Sequence, residues 1–319
     1  MGNDLEAHLG VVIRAIAAGR LVPFLGAGVN LCGRPPSLPW QPGQQRYLPS
    51  GGELAAYLAD HFGCPPAERS DLARICQYVA VMEGLGPLYE GLRSLFDADY
   101  PSTPVHRFFA GLPSTLRAKG HPVRHQVIVT TNYDDLMERA YREAGQPYDL
   151  VTYITEGDLR GRFWHTPPDG QARVIEKPNE YRGLMLDERP AILKIHGAVD
   201  RGSPERDSFV ITEDHYIDYL TRTDLSNLIP IPLPGKLRKS HFLFLGYGLR
   251  DWNLRVILHR ISGEQKLPFM SWAIQLHPDD LDRRFWMRRD VEILDVPLDD
   301  YIAGLQQRIQ QLPSGGGSP

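Results

Sequence analysis

What this chain of 319 residues has little of narrows its chemistry before any motif is considered. It holds three cysteines, Cys32, Cys64 and Cys76, an odd number with no CxxC spacing. That excludes a Cys₄ zinc ribbon and argues against a disulfide framework, so a reducing cytoplasmic setting is expected and no metal is required. No apolar run approaches the length of a bilayer span. The opening Met-Gly-Asn-Asp-Leu-Glu lacks a signal-type apolar segment, and Glu6 spoils a myristoylation signal. Excess charge of one sign is also missing: the formal net charge is -4, which gives no global pull toward nucleic acid or acidic membranes. With 42% hydrophobic and 23% charged residues, the chain has the means to bury an ordinary globular core.

What is present alternates between two periods. Leu5, Leu9, Ile13 and Ile16 mark an amphipathic helix. Apolar strands follow at Leu21–Leu25, Gln126–Thr130, Ala191–Ile195 and His241–Leu245, with shorter candidates at Tyr148–Thr152, Ser208–Thr212, Met270–Gln275 and Val291–Leu294. Such runs read as strands covered on both faces. Pro23 counts against a fully paired central position for the first of them. Helices are expected at Leu54–His61, Asp71–Val81, Leu85–Phe96, Pro104–Ala110, Leu281–Arg288 and Leu298–Gln311, and one begins near Asp134. The expected fold is α/β: a Rossmann-like, mostly parallel sheet with helices on both faces, carrying an inserted helical module. One domain over residues 1–312 is anticipated, with the helical insertion at about 51–111, an irregular insertion at about 155–190, and a flexible tail at 313–319. The long loop Gly33–Ser50 precedes the helical module.

Four strand ends carry conspicuous groups: Gly26-Ala27-Gly28, Thr131-Asn132-Tyr133-Asp134, His196-Gly197 and Gly246-Tyr247-Gly248. In open α/β sheets the carboxyl ends of the strands form the ligand crevice. Small residues at Gly26, Ala27 and Gly28 would let the backbone approach a phosphate, although a GxG turn is more often only a tight bend. Taken singly, each residue has a structural alternative. Asn132 could cap the next helix, Asp134 could serve its dipole, and a histidine after a strand is commonly a hydrogen-bonded core residue. His121 and His125 stand at helical metal-pair spacing, but Pro122 places them in a loop. The Arg283–Arg289 stretch reads as a solvated basic helix face, so direct nucleic-acid binding is not expected.

In order and spacing the four motifs resemble the Sir2 (sirtuin) superfamily over about residues 5–300, with Thr131 where that family has glutamine. The phrases Phe209–Tyr216 and Gly246–Asn253 look more like its bacterial branch than its deacetylases, and the missing zinc ribbon agrees. The resemblance implies that NAD is the substrate, that Gly26, Ala27, Gly28, Gly246, Tyr247 and Gly248 surround it with Thr131, and that Asp134 binds the nicotinamide carboxamide. Asn132 would hold a water or ribose hydroxyl, and His196 would be the general base. With water as nucleophile the outcome is an NAD⁺ glycohydrolase yielding nicotinamide and ADP-ribose. The biological role implied is a triggered anti-phage effector acting by NAD depletion (abortive infection). It would be a homo-oligomer or work with a sensor partner such as an ATPase/translocase or an Argonaute-like protein. The competing expectations are a non-catalytic NAD or ADP-ribose sensing module, a zinc-free deacylase or ADP-ribosyltransferase, and, weakest, a Rossmann dehydrogenase.

Overall fold

The computed structural model describes residues 2–65, 71–221, 229–230, 232–248, 258 and 269–315. The Leu249–Asn253 part of the late glycine motif lies outside them. The chain enters through α1 (Gly2–Ala17) and β1 (Leu21–Leu25), followed by a 3₁₀ turn at Ala27–Leu31. The helical module comprises α2 (Gly51–His61), α3 (Leu72–Met82), α4 (Leu85–Phe96) and α5 (Pro104–Ala118). Then come β2 (Val127–Thr130), α6 (Leu136–Glu143), β3 (Asp149–Tyr153), β4 (Phe163–Thr166), β5 (Arg173–Ile175) and β6 (Ala191–Lys194). After β7 (Gly197–Ala198), β8 (Ser208–Phe209) and α7 (Glu213–Thr221), the sheet is completed by β9 (His241–Leu245), β10 (Ser271–Ile274) and β11 (Val291–Leu294).

Nine strands form one sheet in the order β11-β10-β9-β1-β2-β6-β3-β4-β5. The pairs from β11 through β3 are parallel, and only β4 and β5 run antiparallel. The expected Rossmann-like architecture is therefore the observed one. From β1 the chain proceeds to β2 on one side and returns to β9 on the other. That reversal makes the carboxyl ends of β1 and β9 the topological switch point, where a crevice must open.

Alternation along the strands divides the core between the two faces of the sheet. Val22, Phe24, Val129, Leu193 and Phe244 pack on Leu233, Leu237, Tyr219 and Trp286. Leu21, Leu25, Ile128, Ile192 and Leu243 pack on α1, α5, α6 and the last helix, Leu298–Gln311. A third cluster joins α2, α3 and α4 to Leu136, Val199, Phe209 and Ile211, so the helical module has its own core and is sealed onto the strand-end side of the sheet.

Three expectations change, and the irregular region gains defined strands. Pro23 sits in the central strand, paired with β9 at Leu243. Pairing of β1 with β2 is recorded only from Phe24 onward, so the missing N–H costs no ladder bond on that side. The helix expected at Pro104–Ala110 runs to Ala118, through Pro113. The strand expected at Ser208–Thr212 shrinks to Ser208–Phe209, pairing with Gly197–Ala198 in a separate two-stranded sheet. Within the irregular region 155–190, β4 and β5 form a hairpin that extends the main sheet. It is anchored on fully buried Asp149, which accepts from Arg189 Nε at 3.0 Å and lies 2.9 Å from His165 Nε2.

Candidate active site

The two glycine turns of the switch point are built against each other. Gly26 N–H donates to Leu245 O and Gly28 N–H to Gly246 O, each at 2.9 Å. A Cβ on Gly26 would stand 2.6 Å from Gly246 O, and one on Gly28 2.8 Å from Gly246 Cα. Gly246 adopts φ +67, and a Cβ there would meet Val29 N at 2.2 Å. The physical reason for these glycines is thus backbone-on-backbone contact between β1 and β9, not open space awaiting a phosphate. Gly246→Ala is expected to destabilise the fold by about 3 kcal/mol, combining left-handed strain with overpacking. A urea titration showing a midpoint unchanged from wild type would contradict this account.

Around this clasp a cavity of about 360 Å³ brings the four motifs together: it is lined by Gly26, Ala27, Thr131, Asn132, Asp134, His196, Gly246, Tyr247 and Gly248. Gly28 lies behind the lining, holding Gly246. The helical module contributes Leu54, Leu72 and Phe96 as an apolar wall, so residues of its own core also line the cavity. Size alone would not have found this site, because a larger cavity of about 800 Å³ lies elsewhere. Convergence of strand ends identifies it.

Each polar group is held by a local device. Asn132 is 8% exposed; its N–H donates to Thr130 Oγ1 at 3.0 Å and its Nδ2 to Gly26 O at 3.3 Å. Its Oδ1 is buried with no partner among the described residues. Tyr247 O–H donates to Thr131 Oγ1 at 2.7 Å, tying β9's turn to β2's. Asp134 accepts Leu136 N–H at 3.0 Å on Oδ1, which caps α6, and Asn30 Nδ2 at 2.8 Å on Oδ2. Both carboxylate oxygens are therefore engaged, and it is Asn30 Oδ1 that is buried without a partner at the cavity. Asn30 escaped the sequence reasoning; its only signal was a polar residue placed between Val29 and Leu31.

His196 is 4% exposed, its ring edge-on to Tyr216 and Tyr219 with centroids 5.5 Å away in both cases. Nε2 is buried and has no partner among the described residues. Burial lowers the imidazole's pKa to about 3, so it is neutral at physiological pH and able to accept a proton. Burial likewise lowers His8 and His106 to about 4. The unfolded chain, with histidines near 6.5, binds more protons than the fold below that pH. The stability these groups contribute is complete above about pH 6.5 and is lost as pH falls toward 4. Thermal midpoints measured from pH 7 to pH 5 should therefore fall steadily; a flat profile would contradict it.

The N-terminus of α2 lines the same cavity through Ser50 and Gly51. Ser50 and Glu53 form a reciprocal capping box, and Glu53 also accepts from Trp40 N–H at 2.9 Å and Arg34 Nη1 at 2.8 Å. The Arg34 guanidinium, with these backbone donors, holds the Glu53 carboxyl near about 2. This fastens the Gly33–Ser50 loop to the helix, while Gly33 N–H at its start donates to Asp299 Oδ1 at 2.8 Å. The result places the positive end of an 11-residue helix at the cavity.

Residues 126–294, just over half the chain, match the family of the SIR2-like domain. The chain belongs to the SIR2-like family. This SIR2-like chain is 23% identical over 294 residues to Defense-associated sirtuin 2 of Bacillus subtilis, covering 91% of this chain and 23% of that protein. It is 28% identical over 249 residues to NAD(+) hydrolase ThsA of Enterococcus faecium, covering 77% of this chain and 41% of that one. ThsA of Cytobacillus dafuensis, likewise named an NAD(+) hydrolase, is 24% identical over 262 residues, 82% of this chain and 42% of its own length. The SIR2-like chain thus spans less than half the length of these curated relatives. Among its described residues, no helix is long and apolar enough to cross a membrane.

Proposed function

We propose that this SIR2-like chain is an NAD⁺ glycohydrolase. The observation that carries the reading is one cavity in which His196 Nε2, Asn132 Oδ1 and Asn30 Oδ1 are all buried without partners among the described residues. A buried polar atom without a partner costs about 1–3 kcal/mol, and a ligand that supplies the missing partners recovers it. Nicotinamide riboside chemistry supplies them. The carboxamide N–H₂ suits Asn30 Oδ1, held by Asp134. A ribose hydroxyl or the attacking water suits Asn132 Oδ1. The pyrophosphate suits the α2 N-terminus beside Ala27.

In the reaction the bond from ribose C1′ to the pyridinium nitrogen breaks, and its electron pair leaves with neutral nicotinamide. Water adds to C1′ and loses one proton, giving ADP-ribose. The pyridinium is already a good leaving group, so orientation and stabilisation of an oxocarbenium-like centre supply most of the catalysis. His196 would take the proton. Its burial makes the imidazolium costly, and the negative charge of the pyrophosphate is the counter-charge that raises its basicity once substrate is bound.

The test is chromatography of NAD incubated with the purified chain. Nicotinamide and free ADP-ribose in equal amounts support the reading; intact NAD, with and without lysate from phage-infected cells, sinks it. A role as a triggered, NAD-depleting defence effector is part of the proposal, supported by the names of the relatives. In this reading self-assembly or a sensor protein would supply the trigger. One alternative has its own support: the depressed basicity of His196 suits a module that senses NAD or ADP-ribose without turnover, for which binding without cleavage would speak.

A further inference from the structure

On the other flank of the α6 N-terminal turn lies the larger cavity of about 800 Å³, a volume within the usual range of about 300–1,000 Å³ for small-molecule sites. Its lining includes Glu138, which is only 4% exposed. Glu138 Oε1 accepts from Lys194 Nζ at 2.7 Å, while Oε2 is buried with no partner among the described residues. Burial raises the Glu138 carboxyl despite the neighbouring ammonium, so Oε2 is poised to accept when ionised and to donate when protonated. The same lining holds an indole and three arginines, Arg142, Arg201 and Arg206. Trp164 on β4 and Tyr148 ahead of β3 give apolar faces, and the Arg206 guanidinium lies 6.0 Å from the Trp164 ring centroid. Arg142 bonds to Tyr148 Oη and Asp135, and Arg206 Nε to Asp200, leaving each guanidinium further N–H donors among the described residues.

We propose that this cavity is a second ligand site, separate from the SIR2-like one, and that it takes a nucleoside phosphate. A base has the planar face that Trp164 matches. Its edge, an N–H beside a ring nitrogen, serves Glu138 Oε2 in either protonation state. The phosphate goes to Arg142 and Arg206, guanidinium donors of the lining. An apolar ligand would leave Oε2 unsatisfied, and a bare anion would leave both the carboxyl and the indole unused. The site also touches the first cavity at one point: the Lys194 ammonium that holds Glu138 donates as well to the backbone carbonyl of Asp134. The proposal does not depend on NAD turnover.

The test is isothermal titration of the whole chain with AMP, GMP and CMP, and with inorganic phosphate, on wild type and four variants. At least one nucleotide should bind saturably and more tightly than phosphate. Trp164→Ala and Arg206→Ala should each weaken it roughly tenfold or more, the scale of one charge-assisted or stacking contact. Asn132→Ala, in the first cavity, should leave it unchanged. Arg206→Lys restoring part of the affinity separates a lost contact from a damaged fold. No saturable binding of any of the three nucleotides at millimolar concentration overturns the proposal. So does affinity lost in Asn132→Ala and kept in the other two, which would place the nucleotide in the first cavity.

Discussion

His196→Ala should lower NAD hydrolysis by about 10²–10⁴-fold, the range of a positioned general base, while leaving the chain folded. Removing the imidazole takes away a group that makes no side-chain hydrogen bond from Nε2 among the described residues, so little structural bonding goes with it. Asn132→Ala should cost comparably in kcat. Among the described residues its side-chain amide bonds to Gly26 O, at 3.3 Å, and its Oδ1 is buried without a partner. Asn30→Ala should behave differently, raising KM more than it lowers kcat, because its expected contact is the carboxamide, away from the bond that breaks. Steady-state rates and thermal midpoints for the three variants check these expectations together. A His196→Ala enzyme within about twofold of wild type would remove the base assignment and leave orientation as the whole mechanism.

The second large effect is on stability. Lys194 is 1% exposed at the end of β6, and its ammonium donates to Glu138 and to the carbonyl of Asp134. Lys194→Met should cost about 3–5 kcal/mol, because it strands a buried carboxyl and a buried carbonyl at once. The double variant Lys194→Met with Glu138→Met should lie closer to wild type than either single variant, since an apolar pair replaces a costly ionic one. Urea denaturation of the three proteins measures the coupling. Additive losses would mean that the two side chains do not act as a pair. Since the Asp134 carbonyl belongs to the turn bearing Asn132, Lys194→Met should also lower kcat in whatever fraction remains folded.

Much of this arrangement was legible in the residues. The strands read as mostly apolar β-branched and aromatic runs, and their two-faced burial in the structure is the reason charge is scarce in them. The motifs at their carboxyl ends lie around one cavity because a parallel sheet delivers every such end to the same edge. Three features were not legible, each for a reason. Asn30 sits in a 3₁₀ turn with no periodicity of its own, and its significance comes from Asp134, 104 positions away. The glycines at 26 and 28 looked able to approach a phosphate, and Gly246 looked like a further ligand turn, yet their neighbours are one another; a contact between β1 and β9 is invisible to local pattern. Lys194 drew no reading of its own inside an apolar strand, because burial of its ammonium depends on a partner contributed by α6.

The clasp between the turns after β1 and β9 has a mechanical consequence. Two backbones in direct contact have no side-chain rotamers to relax, so this face of the reaction chamber works as an anvil. Compliance has to come from side chains that line the same cavity, among them Tyr216 of α7, Ser50 and Phe96 of the helical module. On the hydrolase reading proposed above, nicotinamide would leave past such side chains and not through the clasp. On that reading a trigger, too, would act on them and leave the clasp unmoved.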